Sequence, residues 1–561
     1  MMGLHVGEKM AAGLDKTLKL IADTRNDAAL DTLVASLESS CEKTRERAFV
    51  GILTRRSPTG HRLILDRWDE WDDAWKERIG EHPGRLTSAI RDSVLSTQRE
   101  VCESGCEALL KTSEFDLAPT LVKAIEERKN PNAELVSDAL INLAELLRAE
   151  LDAPRDYKRR RDPSLVQRNF VGCLEPAVER FPRYQRVVLI EAFLLLVEHD
   201  NALLRKTLQQ PRGLLFQKTT ELLMDSPRTG IKRLLLSFLG DRGAAKSALN
   251  AIARRTDTSM VAMFLDEIGQ EPSDVVLNSL KRMNHVAWVI NQPRLWASWT
   301  DEQQHAAVIV ATQSGMNRIA VFDFLSWILK KGNVGGRRAA AEALDEFRGM
   351  EANEAARQAL DDEDPIVLAR ILVQMRQRGI RVSLSRLMQL ADSPHEEVRT
   401  AVQKCLGDFT LQRYLSAFDM LNDDIRKTTG LLVKKVDPNL IETLVIELES
   451  PARTRRIRAL QSIPFLGVGS EVEPLLLEAI EADDHFVRAE AARAMVNCNS
   501  KESQQALREA LLDSWSSVQD AAEQTLQDIV EAKHNRGALQ EELNNLFDEP
   551  LPPELGMEFL A

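Results

Sequence analysis

The sequence predicts an all-α fold, an α-solenoid made as a superhelical stack of helical hairpins, and three observations carry that prediction. A Leu/Ala-rich two-helix pattern recurs about every 30 residues through the C-terminal part of the chain. The 561 residues are 44% hydrophobic but only 5% aromatic, with three tyrosines, so the core rests on Leu and Ala, which suit small helical repeats. Alternating Val/Ile/Thr runs closed by Asn-Gly or Asp-Gly turns, the signal of strands, are nearly absent.

The repeats are plainest over the last 230 or so residues, in RQALDDEDPIVLARILVQM, LMQLADSPHEEVRTAVQKCL, AFDMLNDDIRKTTGLLV, LLLEAIEADDHFVRAEAARAM and LREALLDSWSSVQDAAEQTL. Each copy runs from a Leu/Ala-rich helix end through an acidic or Ser-Pro turn to a β-branched residue, usually followed by Arg, and then a second amphipathic helix. The β-branched residues are Val367, Val398, Ile425, Val487 and Val518, at steps of 31, 27, 62 and 31 residues. The double step contains a looser copy, ELESPARTRRIRALQSI. A period near 30 accommodates two helices of about twelve residues and two short turns. One such hairpin cannot bury its apolar stripe alone, so the units must stack. Asp, Asn, Ser and Pro stand where the second helix starts, as N-caps or an N1 proline.

Upstream the spacing loosens. GGRRAAAEALDEF puts Gly336-Arg337 one period before Val367, and Thr44-Arg45 and Ile231-Lys232 occupy the Val-Arg position of earlier copies. The reading divides the chain into irregular helical repeats at 1–285, an apolar connector at 286–331 with Trp288, Trp296, Trp299 and Trp327, regular repeats at 332–535, and an acidic tail at 536–561. That tail reads as exposed, being too poor in buriable surface to fold alone.

The turn-Val-Arg-x-x-Ala pattern resembles HEAT repeats, and its short period is similar to the subtype named for phycobilisome lyases. The resemblance covers roughly residues 332–530 and, more weakly, 28–285. It implies a right-handed superhelix with the second helix of each pair lining the concave face. It also implies a ladder in which the Arg after the Val pairs with a turn Asp: Arg399, Arg426 and Arg488 with Asp392, Asp424 and Asp484. Leu368 and Gln519 depart from the pattern, so the ladder is expected to be interrupted there. The lyase activity is not implied, because many proteins without that role share the repeat.

Charge and cysteines bound the function. A net charge of −13 argues against general binding of nucleic acid or anionic membrane. Six cysteines spread along the length (Cys41, Cys102, Cys106, Cys173, Cys405 and Cys498) read as reduced, packed thiols. Cys102 and Cys106 lie one helical turn apart, but no second ligand pair accompanies them. The N-terminal stretch lacks the apolar run of a secretory signal, and no apolar run of about 18 residues exists to span a membrane, so a cytoplasmic location is expected.

No catalytic signature is visible. G-x-S-x-G, H-E-x-x-H and a Walker loop are missing, and KKGNVGGRR has glycines without the G-K-S/T that cradles phosphate. Hydroxylases of the HEAT class hold two irons with several His-Glu pairs, whereas this chain has one, His395-Glu396, equally readable as the start of a helix. Trp68, Trp71 and Trp75, at i, i+3, i+7, read as one helix face turned to the core, with a ligand-facing stripe as the alternative. The basic run Lys158, Arg159, Arg160 and Arg161 reads as a solvated loop or as a patch for an acidic partner. Leu555 and Phe559, set among acids and prolines in the tail, read as a solvated end or as a short docking motif. The expectation is therefore a non-catalytic scaffold or adaptor for protein or peptide partners, needing no cofactor and no metal, its oligomeric state open. The alternatives are an enzyme or enzyme subunit on the same frame, lyase-like or hydroxylase-like, and a nucleic-acid binder using a local basic strip.

Overall fold

The computed structural model describes residues 16–24, 26–55, 57–154, 161–380, 382, 384–407 and 409–534. Among the described residues all regular structure is helical and no strand occurs. The chain separates into two compact units, one formed by residues up to 290 with 313–317, the other by 291–312 with those from 318 onward.

Among its described residues the second unit contains a run of seven helical hairpins. Their first helices are Arg318–Lys331, Met350–Gln358, Leu384–Ala391, Leu411–Ala417, Leu440–Leu448, Glu473–Ala479 and Lys501–Ala510. The second helices are Val334–Ala343, Pro365–Gln377, Glu396–Cys405, Asp423–Val436, Arg453–Leu466, His485–Ala494 and Ser516–His534, whose starts step by 31, 31, 27, 30, 32 and 31 residues. The turn residues act as the sequence suggests. Asp364 accepts from the backbone N–H of Ile366 and Val367 at 3.1 Å, Asn422 from Ile425 at 2.9 Å, and Asp484 from Phe486 at 2.9 Å. Each satisfies an N–H that the helix start leaves without a partner.

Val367, Val398, Val487 and Val518 are fully buried at equivalent places in this stack. Ile425 departs from them and is only half-buried. On its helix the buried residues are Thr428, Thr429, Gly430, Leu432, Val433 and Val436 instead.

The first unit uses the same hairpins less evenly. Ala28–Leu37 pairs with Glu42–Thr54, Thr87–Val94 with Arg99–Thr112, Ala118–Glu126 with Ala133–Asp152, and Pro163–Glu179 with Val187–Leu196. Extra helices Pro58–Asp66 and Asp73–Gly80 stand between the first two pairs and stretch the period. Val187–Leu196 is apolar nearly all round and buried along most of its length, as a helix covered on several sides must be.

Trp68, Trp71 and Trp75 do pack inward, but not from one helix. Trp68 lies in a single 3-10 turn, the chain is extended at Trp71, and Asp72 caps a new helix by accepting from the N–H of Trp75. The i, i+3, i+7 spacing hid that cap. Trp71 and Trp75 meet the Phe49 ring edge-on at 4.8 and 4.9 Å. Of the tryptophans of 286–331, Trp288 belongs to the first unit and Trp296, Trp299 and Trp327 to the second. Trp288 packs near Phe264 in the first, and Trp296 packs on Phe324 and Trp327 in the second.

Candidate interaction surface

The residue after the β-branched position has a repeated job. Arg45, Arg399 and Arg488 each donate to the backbone carbonyl six residues earlier, of Ser39, Ser393 and Ala482, at 2.8–3.2 Å, as does Arg205, which follows a leucine, to His199. Gln519 does the same through its amide, 2.6 Å from the Asp513 carbonyl, so the turn contact is not interrupted there. A second set of contacts runs forward to the next repeat. Lys232 meets Asp257 at 2.9 Å, Arg337 grips Asp362 at 2.8 and 3.1 Å, and Arg488 grips Asp513 at 2.8 and 3.1 Å. Each rung spans 25 residues, and the two Arg rungs are two-pronged, a geometry that the planar guanidinium favours.

The rungs are not those the resemblance implied. Arg399 stays on its turn carbonyl, while Asp392 pairs with Lys435 at 2.5 Å. Arg426 pairs with Asp423 rather than Asp424, at 2.9 Å, and lies over the Phe418 ring. Asp484 pairs with Arg453 at 2.9 Å while capping its own helix. An Asp committed to the cap points along its own helix, which leaves the long Arg side chain to reach the following repeat. At Leu368, the other departure, Arg370 donates instead to the Arg338 carbonyl of the preceding second helix, at 2.6 Å.

Electrostatics follow these rungs. The hydrogen bonds from Arg488 hold the Asp513 carboxyl below its ordinary range. Burial opposes ionisation of Asp257, but hydrogen bonds from Arg255 and Lys232 outweigh it and bring that carboxyl to about 2. Lys232 also lies 2.5 Å from the Ser259 hydroxyl, beside a cavity of about 520 Å³. A serine beside a lysine can act as a nucleophile only if the amine accepts its proton. Here the ammonium is engaged by Asp257, so the cluster is a rung between repeats.

Open grooves run between neighbouring helices. One, of about 1000 Å³, lies between the first helices Arg318–Lys331 and Met350–Gln358. Phe322, Leu329, Met350 and Ala359 give it an apolar lining, and Lys330, Glu351, Arg357 and Asp361 a rim of both charges. Two more lie between second helices. One of about 540 Å³ exposes Leu110, Leu146 and Ala149 beside Lys111, Asn142 and Glu145, and one of about 420 Å³ exposes Ile366 and Val373 beside Arg370 and Glu397.

Of the residues singled out as partner-binding, Lys158, Arg159, Arg160, Leu555 and Phe559 lie outside the described residues. Arg161 is described and is engaged within the chain. It donates to the Ser113 carbonyl at 2.8 Å, pairs with Glu150 at 3.1 Å and stacks 4.3 Å above the Phe115 ring. His395 is the exposed residue before helix Glu396–Cys405, whose first turn carries Glu396 and Glu397. Cys102 and Cys106 are buried on helix Arg99–Thr112, where Cys102 Sγ lies 3.4 Å from the Val94 carbonyl. Among the described residues no three His, Cys, Asp or Glu side chains gather as they would around a metal ion.

The KKGNVGGRR glycines have a packing role. A Cβ on Gly336 would stand 2.4 Å from Gln304 Oε1, and one on Gly335 2.7 Å from the Asp301 carbonyl. Gln304 is buried, donates to the Trp296 carbonyl at 2.9 Å and accepts from the Asn333 N–H at 2.6 Å. The sequence reading missed this polar knot, since one Gln in a helix gives no signal. It also missed an exposed aromatic group at the helix starts. The His485 ring stacks on Trp515 at 3.8 Å, and Arg453 lies 4.3 Å over Phe486.

This arrangement of hairpins, turn contacts and forward rungs defines an α-solenoid repeat protein. Residues 322–407 and 441–527 match the HEAT repeats, and both matched stretches lie in the second unit. No curated protein matches it. Among solved structures it is similar to a chain from work on a phosphorylation switch controlling the interaction between cadherin and beta-catenin. That chain is 13% identical, the likeness covers 89% of this chain and 99% of that one, and the TM-score is 0.33. It is also similar to Kap121p bound to Pho4p, at 13% identity over 97% of this chain and 55% of that one, with a TM-score of 0.24.

Proposed function

We propose that the protein is a non-catalytic scaffold or adaptor that binds protein or peptide partners along its helical-repeat surface. The observation that carries this reading is the groove of about 1000 Å³ across two consecutive hairpins. It is open, its apolar floor offers area for a partner's anchor side chains, and its rim of both charges offers register. None of its lining residues is a histidine or a cysteine. A cytoplasmic location belongs to the same proposal and is supported by six free thiols. The test is affinity purification of the full chain from its native cell, in parallel with a Met350→Glu/Ala355→Glu variant whose groove carries two new charges. The reading expects a reproducible set of interactors, one or more lost from the variant at unchanged melting temperature, with cross-links from the lost partner to Lys330. An identical set from both proteins removes the groove from the proposal.

A further inference from the structure

The groove of about 540 Å³ in the first unit is apolar at one end and runs into an acidic surface at the other. It lies between Arg99–Thr112 and Ala133–Asp152, the second helices of consecutive hairpins, which pack against each other and run in the same direction. Its floor is apolar, from Leu110 on one helix and Leu146 and Ala149 on the other, and Leu146 is left 39% exposed. Lys111 is the cation of the lining and stands near the C-terminal end of its helix. The two carboxylates of the lining are already engaged. Glu107 accepts from the Trp68 indole at 2.6 Å, and Arg228 holds Glu145.

The same two helix faces continue toward their N-terminal ends, and there they carry acids that nothing in the chain neutralises. One helical turn before Glu107 stands Glu103, and one turn before Asn142 stands Asp138. Both are exposed, and neither has an ion pair among the described residues. The helix dipole does not account for them. It favours acids in the first turn, where Glu100 and Glu134 stand, and its pull fades beyond that turn.

We propose that this groove docks a basic segment of a partner protein, one in which a large apolar residue is flanked on one side by Lys or Arg. The apolar residue enters between Leu110 and Leu146, and the cations meet Glu103 and Asp138. Burial of the anchor supplies most of the affinity, while the charges fix the direction of the segment and select the partner. An acidic segment or a nucleic acid would bring its own negative charge against those two carboxylates. The proposal extends the scaffold reading to a second groove, and it stands or falls separately from the groove at Met350.

The experiment selects phage-displayed random peptides of about twelve residues on the full chain, and discards those that also bind a Leu146→Glu variant. The survivors should share a large apolar residue with Lys or Arg to one side. A labelled synthetic peptide of that consensus should bind the full chain in fluorescence anisotropy. Its Kd should rise at least about tenfold in Leu146→Glu and in Glu103→Lys/Asp138→Lys, each melting as the wild type does. Binding should also weaken as NaCl rises from about 0.05 M to about 0.3 M, a readout that needs no variant. The Met350→Glu/Ala355→Glu protein should bind the peptide as the wild type does. No shared sequence among the survivors, or a shared sequence without basic residues, overturns the proposal. So does a Kd that Glu103→Lys/Asp138→Lys leaves unchanged, or one that only Met350→Glu/Ala355→Glu raises, since the peptide would then sit in the other groove.

Discussion

Where the arginine after the β-branched residue also reaches forward, it holds two structures at once, its own turn and the next repeat. Arg488 shows both, donating to the Ala482 carbonyl and gripping Asp513. The Arg488–Asp513 pair is mostly shielded from solvent, so a double-mutant cycle with Arg488→Ala and Asp513→Ala should give a coupling of about 1 kcal/mol. Coupling indistinguishable from zero in denaturant melts would reduce the rung to a bystander. Beside it, Val487→Ala deletes a buried side chain and should cost about 1–3 kcal/mol in the same melts. Asp257 sets a pH dependence. Its carboxyl is depressed in the folded state to about 2, so its contribution is complete above the unfolded value near pH 4 and is lost as pH falls toward 2. Asp257→Asn should therefore lower the melting temperature at pH 6 and leave a shallower decline between pH 4 and pH 2. A parallel decline in both proteins would contradict that assignment.

At the scale of the element, close approach decides where glycine must stand. Helix Val334–Ala343 comes so near helix Asp301–Gln313 that Gly335 and Gly336 meet the Asp301 carbonyl and the Gln304 side chain. Alanine favours a helix over glycine by about 1 kcal/mol, and at an open site Gly336→Ala would stabilise. Here the new methyl has to displace a buried Gln held by two hydrogen bonds, so the net change should be a loss of about 1–2 kcal/mol. Thermal melts that show a gain would mean the Gln304 knot yields freely. The resemblance of this stretch to a phosphate loop ends at this packing, because the glycines make room for another helix.

At the scale of the molecule, two predictions concern what the whole chain carries and what it can lose. Purified protein should contain no stoichiometric iron or zinc, and elemental analysis finding one equivalent would move an enzyme reading ahead of a scaffold. Residues 548–561 read in the sequence as too poor in buriable surface to fold alone, so deleting them should leave the melting temperature within about 1 °C. If Leu555 and Phe559 form a docking motif, the same deletion should remove a partner from pull-downs. An unchanged set of interactors would leave that segment as a solvated end.

The sequence alone determined the all-helical class, the period near 30 and the buried role of Val367, Val398, Val487 and Val518. These follow from local patterns, namely a 3.6-residue apolar stripe, a capping residue at each turn and a spacing too short for anything but a hairpin. It could not determine which Asp each Arg would take. Turn acids stand near every candidate Arg, and the choice depends on which acids are already engaged as caps and where the following repeat lies. Nor could it show that Ile425 is half-buried, that Asp72 splits the tryptophan stripe between two elements, or that Gln304 lies under Gly336. Those outcomes were decided by tertiary structure. Helix-to-helix distance, and with it the burial of each position, is settled only when neighbouring hairpins close on one another.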